Sequence, residues 1–461
     1  MRVQEVLGQN GKMTNLRTDR KYLNEKAECM PAGELRKLQL ERLKNLFNRA
    51  RKGCLFYGNF LEERKVQNVQ IRNLDDIQKL PMMSKKEARI AYPDKLLLVP
   101  NETIKQIHGS SGTTGKPTLI FATTKDIKLW AERNGRNFWA IGLRPGEYFL
   151  KIGGYGLATG AFGYHYGAQF INLCVIPTGL GRAQQKIELM EDLKVAGIGG
   201  SPTFMAYMAQ LAAEQGMNFH EKPYPRVALF GGQPTAASTR NKLESLFGLE
   251  AYDEYGITEL LGPGIACECA TKEGMHVWSD HILVECVDPK TGEWVPDGEE
   301  GELVWTFLVS EAVAVIRYRS GDLSRIISEP CSCGRTHVRI LNIKGRIDDG
   351  VSIGGFTVFP SQVEEVLFGF SESGSNFRCI VDSDERGLDR LTIDLEVNDR
   401  GLLNDNKKSV DLTNRLREKF QSVLGVTPKQ INFVEPYSLP TATDDQSKTG
   451  NMRMVDGRKW D

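Results

Sequence analysis

The run His108-Gly109-Ser110-Ser111-Gly112-Thr113-Thr114-Gly115-Lys116-Pro117 concentrates groups that can hold a polyanion. Its glycines let the backbone approach closely, its hydroxyls and N–H groups donate, and Lys116 adds charge. The spacing is not that of a Walker loop. Five residues separate Gly109 from Gly115, and Pro117 follows the lysine where a Mg²⁺-binding hydroxyl belongs. The β-prone run Leu119-Ile120-Phe121-Ala122-Thr123-Thr124 follows at once, which implies strand–loop–strand rather than a flexible linker. Cysteines form a second signal. Two tight pairs, Cys267/Cys269 and Cys331/Cys333, stand apart from Cys29, Cys54, Cys174, Cys286 and Cys379, which read as small buried or neutral residues.

These groups need a scaffold larger than one small core, and 461 residues imply two or more domains. Composition is that of an ordinary globular protein, 40% apolar and 26% charged. Lys plus Arg balances Asp plus Glu at 59 each, so no global field favours nucleic acid or an acidic membrane. The N-terminus lacks the apolar stretch of a signal peptide, and no run approaches the roughly 20 apolar residues of a membrane span. A cytoplasmic address is expected, and with it reduced thiols.

Residues 1–100 read as mainly helical, with amphipathic runs such as Gly33–Lys52. From 101 onward, short β-prone runs alternate with helical ones, the signature of an α/β domain with a largely parallel sheet. Residues 280–345 are richer in strands, as if a smaller sheet were appended, and after Asp349-Gly350 the pattern restarts. The expected fold is a large α/β N-terminal domain over 1–346, with mostly parallel sheets and a β-rich subdomain. A small α+β C-terminal lid is expected over 347–461.

The run Ser110 to Thr118 reproduces in full the phosphate-loop signature of the adenylate-forming superfamily of acyl-CoA synthetases, adenylation domains and luciferases, which this chain resembles. Three further motifs follow in the superfamily's order: Tyr255-Gly256-Ile257-Thr258-Glu259, Tyr318-Arg319-Ser320-Gly321-Asp322 and Gly345-Arg346-Ile347-Asp348-Asp349. The resemblance implies ATP-dependent activation of a carboxylic acid to an acyl-adenylate, with pyrophosphate released. It implies that Ser110, Ser111, Gly112, Thr113, Thr114, Gly115 and Lys116 cradle phosphates. Thr258 would bond the α-phosphate and Glu259 would hold Mg²⁺. Asp322 would accept the ribose hydroxyls, and Arg346 would contact ribose or phosphate. Tyr255 would stack on adenine beside Gly231-Gly232-Gln233-Pro234, with Asp253, Glu254 and Gly256 completing the nucleotide site. Asp348 would be the hinge of the lid.

Stretches around Tyr155-Gly156-Leu157, Phe162–Ala168, Gly262-Pro263-Gly264 and Phe359–Glu364 narrow the resemblance to phenylacetate–CoA ligases and their aryl-activating relatives. It implies an aryl or bulky acid as substrate and coenzyme A as acceptor, with an acyl pocket of Gly153, Tyr155, Ala158, Phe162, Gly232 and Ile257. A homodimer is allowed for, and neither nucleic acid nor membrane is expected as partner. Gly153 and Ala158 replace aromatic residues usual in those relatives, which implies a wider pocket. The catalytic lysine is also displaced. In Lys448-Thr449-Gly450-Asn451-Met452-Arg453 the lysine is out of register, so either Lys448 is delivered by a flexible tail or adenylation proceeds weakened or on another cation. Transfer to a carrier-protein thiol or an amine, and a catalytically weakened nucleotide-binding homologue, therefore stay open.

Cys331-x-Cys333 with His337 resembles half a zinc knuckle, and Cys267-x-Cys269 with His276 would supply the other half. Relatives carrying the same cysteine run select Cys269, His276, Cys331 and Cys333 as a closed structural zinc site, with Cys267 as substitute. His281 and His337 remain as residues behind the ligands or at the surface.

Overall fold

The computed structural model describes residues 3–7, 13–17, 20–109, 118–179, 181–222, 224–385, 387–440 and 453–458. Its centre is five parallel strands in the spatial order Cys174–Gly179, Tyr148–Ile152, Gly197–Gly200, Val227–Phe230 and Glu250–Tyr255. Alternation along each strand feeds two separate apolar layers. Phe149 and Leu229 pack with Phe138, Trp139 and Tyr164, from helices Thr124–Ala140 and Gly160–Phe170. Leu150, Ala228 and Phe230 pack with Ile187, Met205 and Phe247, from helices Ala183–Asp192, Pro202–Glu214 and Ala237–Phe247. Burial on both faces explains why these strands read as continuous apolar runs. Gly199 is required by close approach, since a Cβ there would lie 2.4 Å from Phe149 Cζ.

Beyond Glu250–Tyr255 the sheet continues antiparallel through Ala266–Cys267, Met275–Val277, Arg339–Ile340, Tyr318–Ile327, Glu300–Phe307 and Ile282–Val287. The strand-rich region is thus no separate smaller sheet but the far half of one twelve-stranded sheet. Strands of two or three residues make the splice, too short to leave a periodic signal.

The phosphate-loop segment connects a hairpin, Ile104–Gly109 with Leu119–Thr123, as expected; Gly109 pairs with Leu119. Residues 110–117 themselves lie outside the described residues. Near the N-terminus, helices Ala32–Gly53 and Leu55–Glu63 match the helical reading. An antiparallel pair of Val3–Leu7 and Met13–Arg17 precedes them, unforeseen because its alternation is weak.

The C-terminal region has its own apolar cluster, drawn from Ile353 through Met454. A sheet ordered Gln430–Val434, Asp389–Val397, Ser373–Ser383, Met454–Asp456 packs against helices Pro360–Phe368 and Asn406–Leu424. The second helix buries Leu412, Leu416 and Phe420, one face at a spacing of four. Asp405 caps its first turn, worth about 1 kcal/mol, and Gly425 at φ +71° ends it.

Candidate active site

Among the described residues, the Tyr255–Glu259 motif leaves the carboxyl end of a parallel strand, and Asp322 and Arg346 meet it from an antiparallel pair. The order of the parallel strands (second, first, third, fourth, fifth in sequence) reverses direction beside Tyr148–Ile152, the place where open α/β sheets leave a crevice. Strand Glu250–Tyr255 ends in Tyr255, 6% exposed, whose ring stacks on Trp305 with centroids 5.0 Å apart. One face of that ring is therefore already covered by protein. The Tyr255 hydroxyl donates to Asp322 Oδ2 at 2.5 Å, and Arg346 Nη1 donates to Asp322 Oδ1 at 3.2 Å. Strand pairing sets this contact, because Asp322 and Arg346 are register partners. Burial pushes the Asp322 carboxyl up, opposed by the Arg346 charge. Burial also penalises the Arg346 cation, but Asp322 and Asp348 outweigh it and hold its pKa above the ordinary value.

The chain then turns through a 3₁₀ turn, Thr258–Leu260. Glu259 is 8% exposed and accepts from the Tyr318 hydroxyl at 2.8 Å through Oε1. Leu261 takes φ +51°, and Gly262 N donates back to Ile257 O at 2.8 Å. The two limbs of this loop touch backbone to backbone. A Cβ on Gly256 would meet Pro263 Cα at 2.8 Å, and one on Gly262 would meet Ile257 N at 2.5 Å. Any side chain at either glycine would spread the loop that carries Thr258 and Glu259.

The loop Gly231-Gly232-Gln233-Pro234 leaves strand Val227–Phe230 with Gly232 at φ +85°, and Gln233 Nε2 donates to Thr203 Oγ1 at 2.8 Å. Glu254 lies directly beneath it, accepting from Tyr164 OH and Gly264 N, each at 3.0 Å. Burial pushes Glu254 up to about 7. Asp253, also raised by burial, faces Glu268, which pairs with Arg240 at 2.9 Å. Asp253 and Glu254 were expected at the nucleotide. In the structure their side chains point into the core beneath the loop, because the strand that delivers Tyr255 runs through it.

The expected acyl-pocket residues lie on neighbouring segments. Tyr155 meets Phe162 edge-to-face at 5.4 Å, and its hydroxyl lies 3.0 Å from His165 Nδ1. Ala158 is exposed. Gly109 N bonds Leu157 O at 3.0 Å, so this segment rests on the phosphate-loop hairpin. Gly153 takes φ +101°, so its lack of a side chain answers a backbone requirement as well as making space. Gly232 and Ile257 follow the ends of two adjacent strands, separated from the Gly153 strand by Gly197–Gly200.

Asp348 lies in the turn Ile347–Asp349, its carboxylate exposed and paired with Arg346 Nε at 3.1 Å. Lys448 lies outside the described residues. Arg453 is described: it pairs with Glu364 and donates from Nη2 to Thr203 Oγ1 at 3.1 Å, joining the C-terminal region to the start of helix Pro202–Glu214, on which Gln233 also rests. Sequence reading missed Tyr318, Trp305 and Thr203. Tyr318 was within reach, as it opens the same motif as Asp322, but Trp305 and Thr203 become visible only through the sheet register and the packing of helix Pro202–Glu214.

A second constellation lies at the spliced strands. One donor atom from each of Cys269, His276, Cys331 and Cys333 lies within 4.8 Å of the others, and all four residues are buried. Cys269 Sγ and Cys331 Sγ are 3.8 Å apart, and Cys333 Sγ is 3.4 Å from His276 Nε2. Bonds of roughly 2.3 Å in a tetrahedron would set sulfurs about 3.8 Å apart, so the donor set fits zinc. Cys267, the substitute, packs with Tyr252 and Trp278 instead. His337 bonds Ala27 O at 2.9 Å, and His281 lies by Asp280 and Glu132, so neither joins the cluster.

Comparison with known proteins agrees with this geometry. The family described as AMP-binding enzyme matches residues 36–306, and the AMP-binding enzyme C-terminal domain matches 355–458. A phenylacetate-coenzyme A ligase of Thermus thermophilus is 35% identical over 93% of this chain and 97% of its own length. One from Aromatoleum evansii is 36% identical over 92% and 95%. Among solved structures, 2-hydroxyisobutyryl-CoA ligase in the postadenylation state with 2-HIB-AMP matches with a TM-score of 0.87. It is 26% identical and covers 96% of this chain and 93% of that one. The same ligase with 2-HIB-AMP and CoA in the thioesterification state gives 0.70, at 28% identity over 96% and 94%. With three of the ordered motifs brought together and both family matches in sequence, the chain belongs to the AMP-binding enzyme family.

Proposed function

We propose that the protein is an AMP-forming acid–CoA ligase: a carboxylic acid, in our reading an aryl or bulky one, attacks the α-phosphorus of ATP, pyrophosphate leaves, and coenzyme A takes the acyl group as a thioester. The observation that carries this reading is the Tyr255–Asp322–Arg346 triad beside the Tyr318–Glu259 pair, on a chain that spans over nine-tenths of curated phenylacetate-coenzyme A ligases. Asp322 keeps lone pairs for the ribose hydroxyls after accepting from Tyr255 and Arg346. Glu259 has one oxygen bonded to Tyr318, while Oε2 has no partner among the described residues, which suits it to a Mg²⁺ ion. The ion would neutralise phosphate charge. Thr258 would donate to the α-phosphate, and the residues 110–117 would cradle the other phosphates. This chemistry rests on positioning and charge, so fixed donors at the strand ends are what it requires.

The division at 346/347 with a hinge at Asp348 belongs to the same proposal. It is supported by the separate apolar cluster of the C-terminal region and by the fall in TM-score from 0.87 to 0.70 between two states of one ligase. The chain's arrangement thus resembles the postadenylation one, and thioester formation would need the lid to turn. Zinc on Cys269, His276, Cys331 and Cys333 completes it, as a structural ion beside the nucleotide strand. The deciding experiment measures pyrophosphate release and thioester formation over a panel of aryl and bulky acids, with and without coenzyme A. Acid-dependent pyrophosphate release and a CoA thioester are expected. Pyrophosphate release with no thioester from any acid would overturn the acceptor, and no acid-dependent release would overturn the whole reading.

A further inference from the structure

Helix Thr124–Ala140 runs behind the Thr258–Leu260 turn and aims three side chains at the chain following Glu259. Trp130 Nε1 donates to Pro263 O at 2.9 Å and Asn134 Nδ2 to the same oxygen at 3.0 Å. Arg133 Nη2 donates to Leu260 O and to Leu261 O, each at 3.1 Å. Two of these donors are neutral. The third is a cation with 0% exposure.

Arg133 has no carboxylate at ion-pair distance among the described residues. The nearby acids are engaged elsewhere: Glu132 and Asp280 pair with Arg136, and Asp126 accepts from Thr123 and from the backbone of Glu311 and Ala312. Its Nε and Nη1 have no hydrogen-bond partner among the described residues, and the guanidinium lies 4.9 Å from the Phe307 ring centroid. Burial brings its pKa down to about 9, so it stays charged at neutral pH. A buried cation whose hydrogen-bond acceptors are carbonyls alone is costly, and a neutral amide would satisfy the same two oxygens. The charges of Asp126, Glu132 and Asp280 offset that cost only in part. Those oxygens belong to the turn that presents Thr258 and Glu259, and one of them sits on Leu261, held in a left-handed conformation that leucine resists.

We propose that Arg133 is a positioning residue for adenylation. Its guanidinium fixes the turn that aims Thr258 and Glu259, and its charge biases that turn toward the magnesium-bound polyphosphate. The inference rests on the roles given above to Thr258 and Glu259.

The test measures kcat, KM for ATP and acid, the Mg²⁺ concentration for half activation, and the melting temperature of Arg133→Gln and Arg133→Lys. Arg136→Lys serves as control: it lies on the same helix, equally buried, but touches none of the turn's carbonyls. In Arg133→Gln, kcat for pyrophosphate release is expected to fall, and the Mg²⁺ midpoint to rise, each about tenfold, the scale of a small misplacement of reacting groups. KM for the acid should hold. Arg133→Lys should keep the Mg²⁺ midpoint within about twofold of wild type while losing part of kcat, because charge remains and the fork is lost. Arg136→Lys should lower the melting temperature and leave the midpoint in place. A wild-type midpoint in Arg133→Gln, or an equal shift in Arg136→Lys, would overturn the proposal. Should Arg133→Gln not fold, Arg133→Lys decides: wild-type kcat there overturns it. Glu259→Gln separates the two readings. If its turnover and midpoint are unchanged, the site assignment has failed; if they shift while those of Arg133→Gln do not, Arg133 alone is wrong.

Discussion

The Tyr255–Glu259–Asp322 cluster and the cysteine–histidine cluster sit along the same sheet and solve opposite problems. The four metal-type donors are closed in, all buried and within 4.8 Å of one another, His276 on a strand spliced into the sheet's middle and the three cysteines in the connections beside it. The Tyr255, Glu259 and Asp322 constellation is also buried, yet Glu259 is held by one hydroxyl and Asp322 by one hydroxyl and one guanidinium, which leaves both carboxylates acceptor capacity. A closed tetrahedron stabilises a fold and admits no substrate. Carboxylates with spare lone pairs at strand ends can receive ligands that come and go. Substitutions at the first cluster should therefore act on folding, and those at the second on rate.

The largest effect is expected at Glu259. Glu259→Gln should leave the melting temperature and nucleotide binding detectable while adenylation falls about 10²–10³-fold, the loss typical of removing one electrostatic stabiliser. Acid-dependent pyrophosphate release at the wild-type rate would erase the contrast between the clusters. Next in size, protein purified without added metal should carry about one zinc per chain. Cys331→Ser should lose that zinc and about 2–3 kcal/mol of stability, with the specific activity of the folded fraction largely kept. Elemental analysis and thermal unfolding check it, and a metal-free wild type of equal stability would sink the zinc site. Asp322→Asn should lower kcat/KM for ATP by about 10–100-fold, since it weakens a charge-assisted contact and leaves Arg346 without its buried partner. An equal loss in KM for the acid would place Asp322 elsewhere in the cycle.

Much of this contrast was legible in the residues. Three of the four ordered motifs supply side chains that the fold brings together, Tyr255, Glu259, Tyr318, Asp322 and Arg346, and the cysteine spacing singled out a donor set that it also gathers. The strand–loop–strand around Gly109 and Leu119 followed from β-propensity alone. What stayed hidden depends on register or on neighbours distant in sequence. Strands as short as Ala266–Cys267 and Arg339–Ile340 carry no period, so the continuous sheet read as two. Glu254 sits next to the motif tyrosine, yet alternation turns it inward toward Tyr164. Arg133 lies in an amphipathic helix more than a hundred residues before the turn it supports, with nothing local to mark it.

The smallest expected effect concerns the acyl side, and it separates two substitutions that sequence alone treats alike. Gly153 and Ala158 both stand where aryl-activating relatives have rings, and both imply a wider pocket. Gly153 sits at φ +101°, a conformation that resists any side chain, so Gly153→Tyr should destabilise the fold by about 1–2 kcal/mol before it says anything about volume. Ala158 is exposed and has ordinary backbone geometry, so Ala158→Phe adds bulk without that strain. An aromatic side chain covers roughly 150–250 Å², enough to compete with a large acid for the same wall. The ratio of kcat/KM for a polycyclic acid to that for phenylacetate should fall in Ala158→Phe by about tenfold, the discrimination available from modest apolar contacts. If the ratio is unchanged while both acids remain good substrates, Ala158 does not line the pocket. The width of the site is then set by the Gly153 turn, and the two glycine-for-ring and alanine-for-ring changes have different causes.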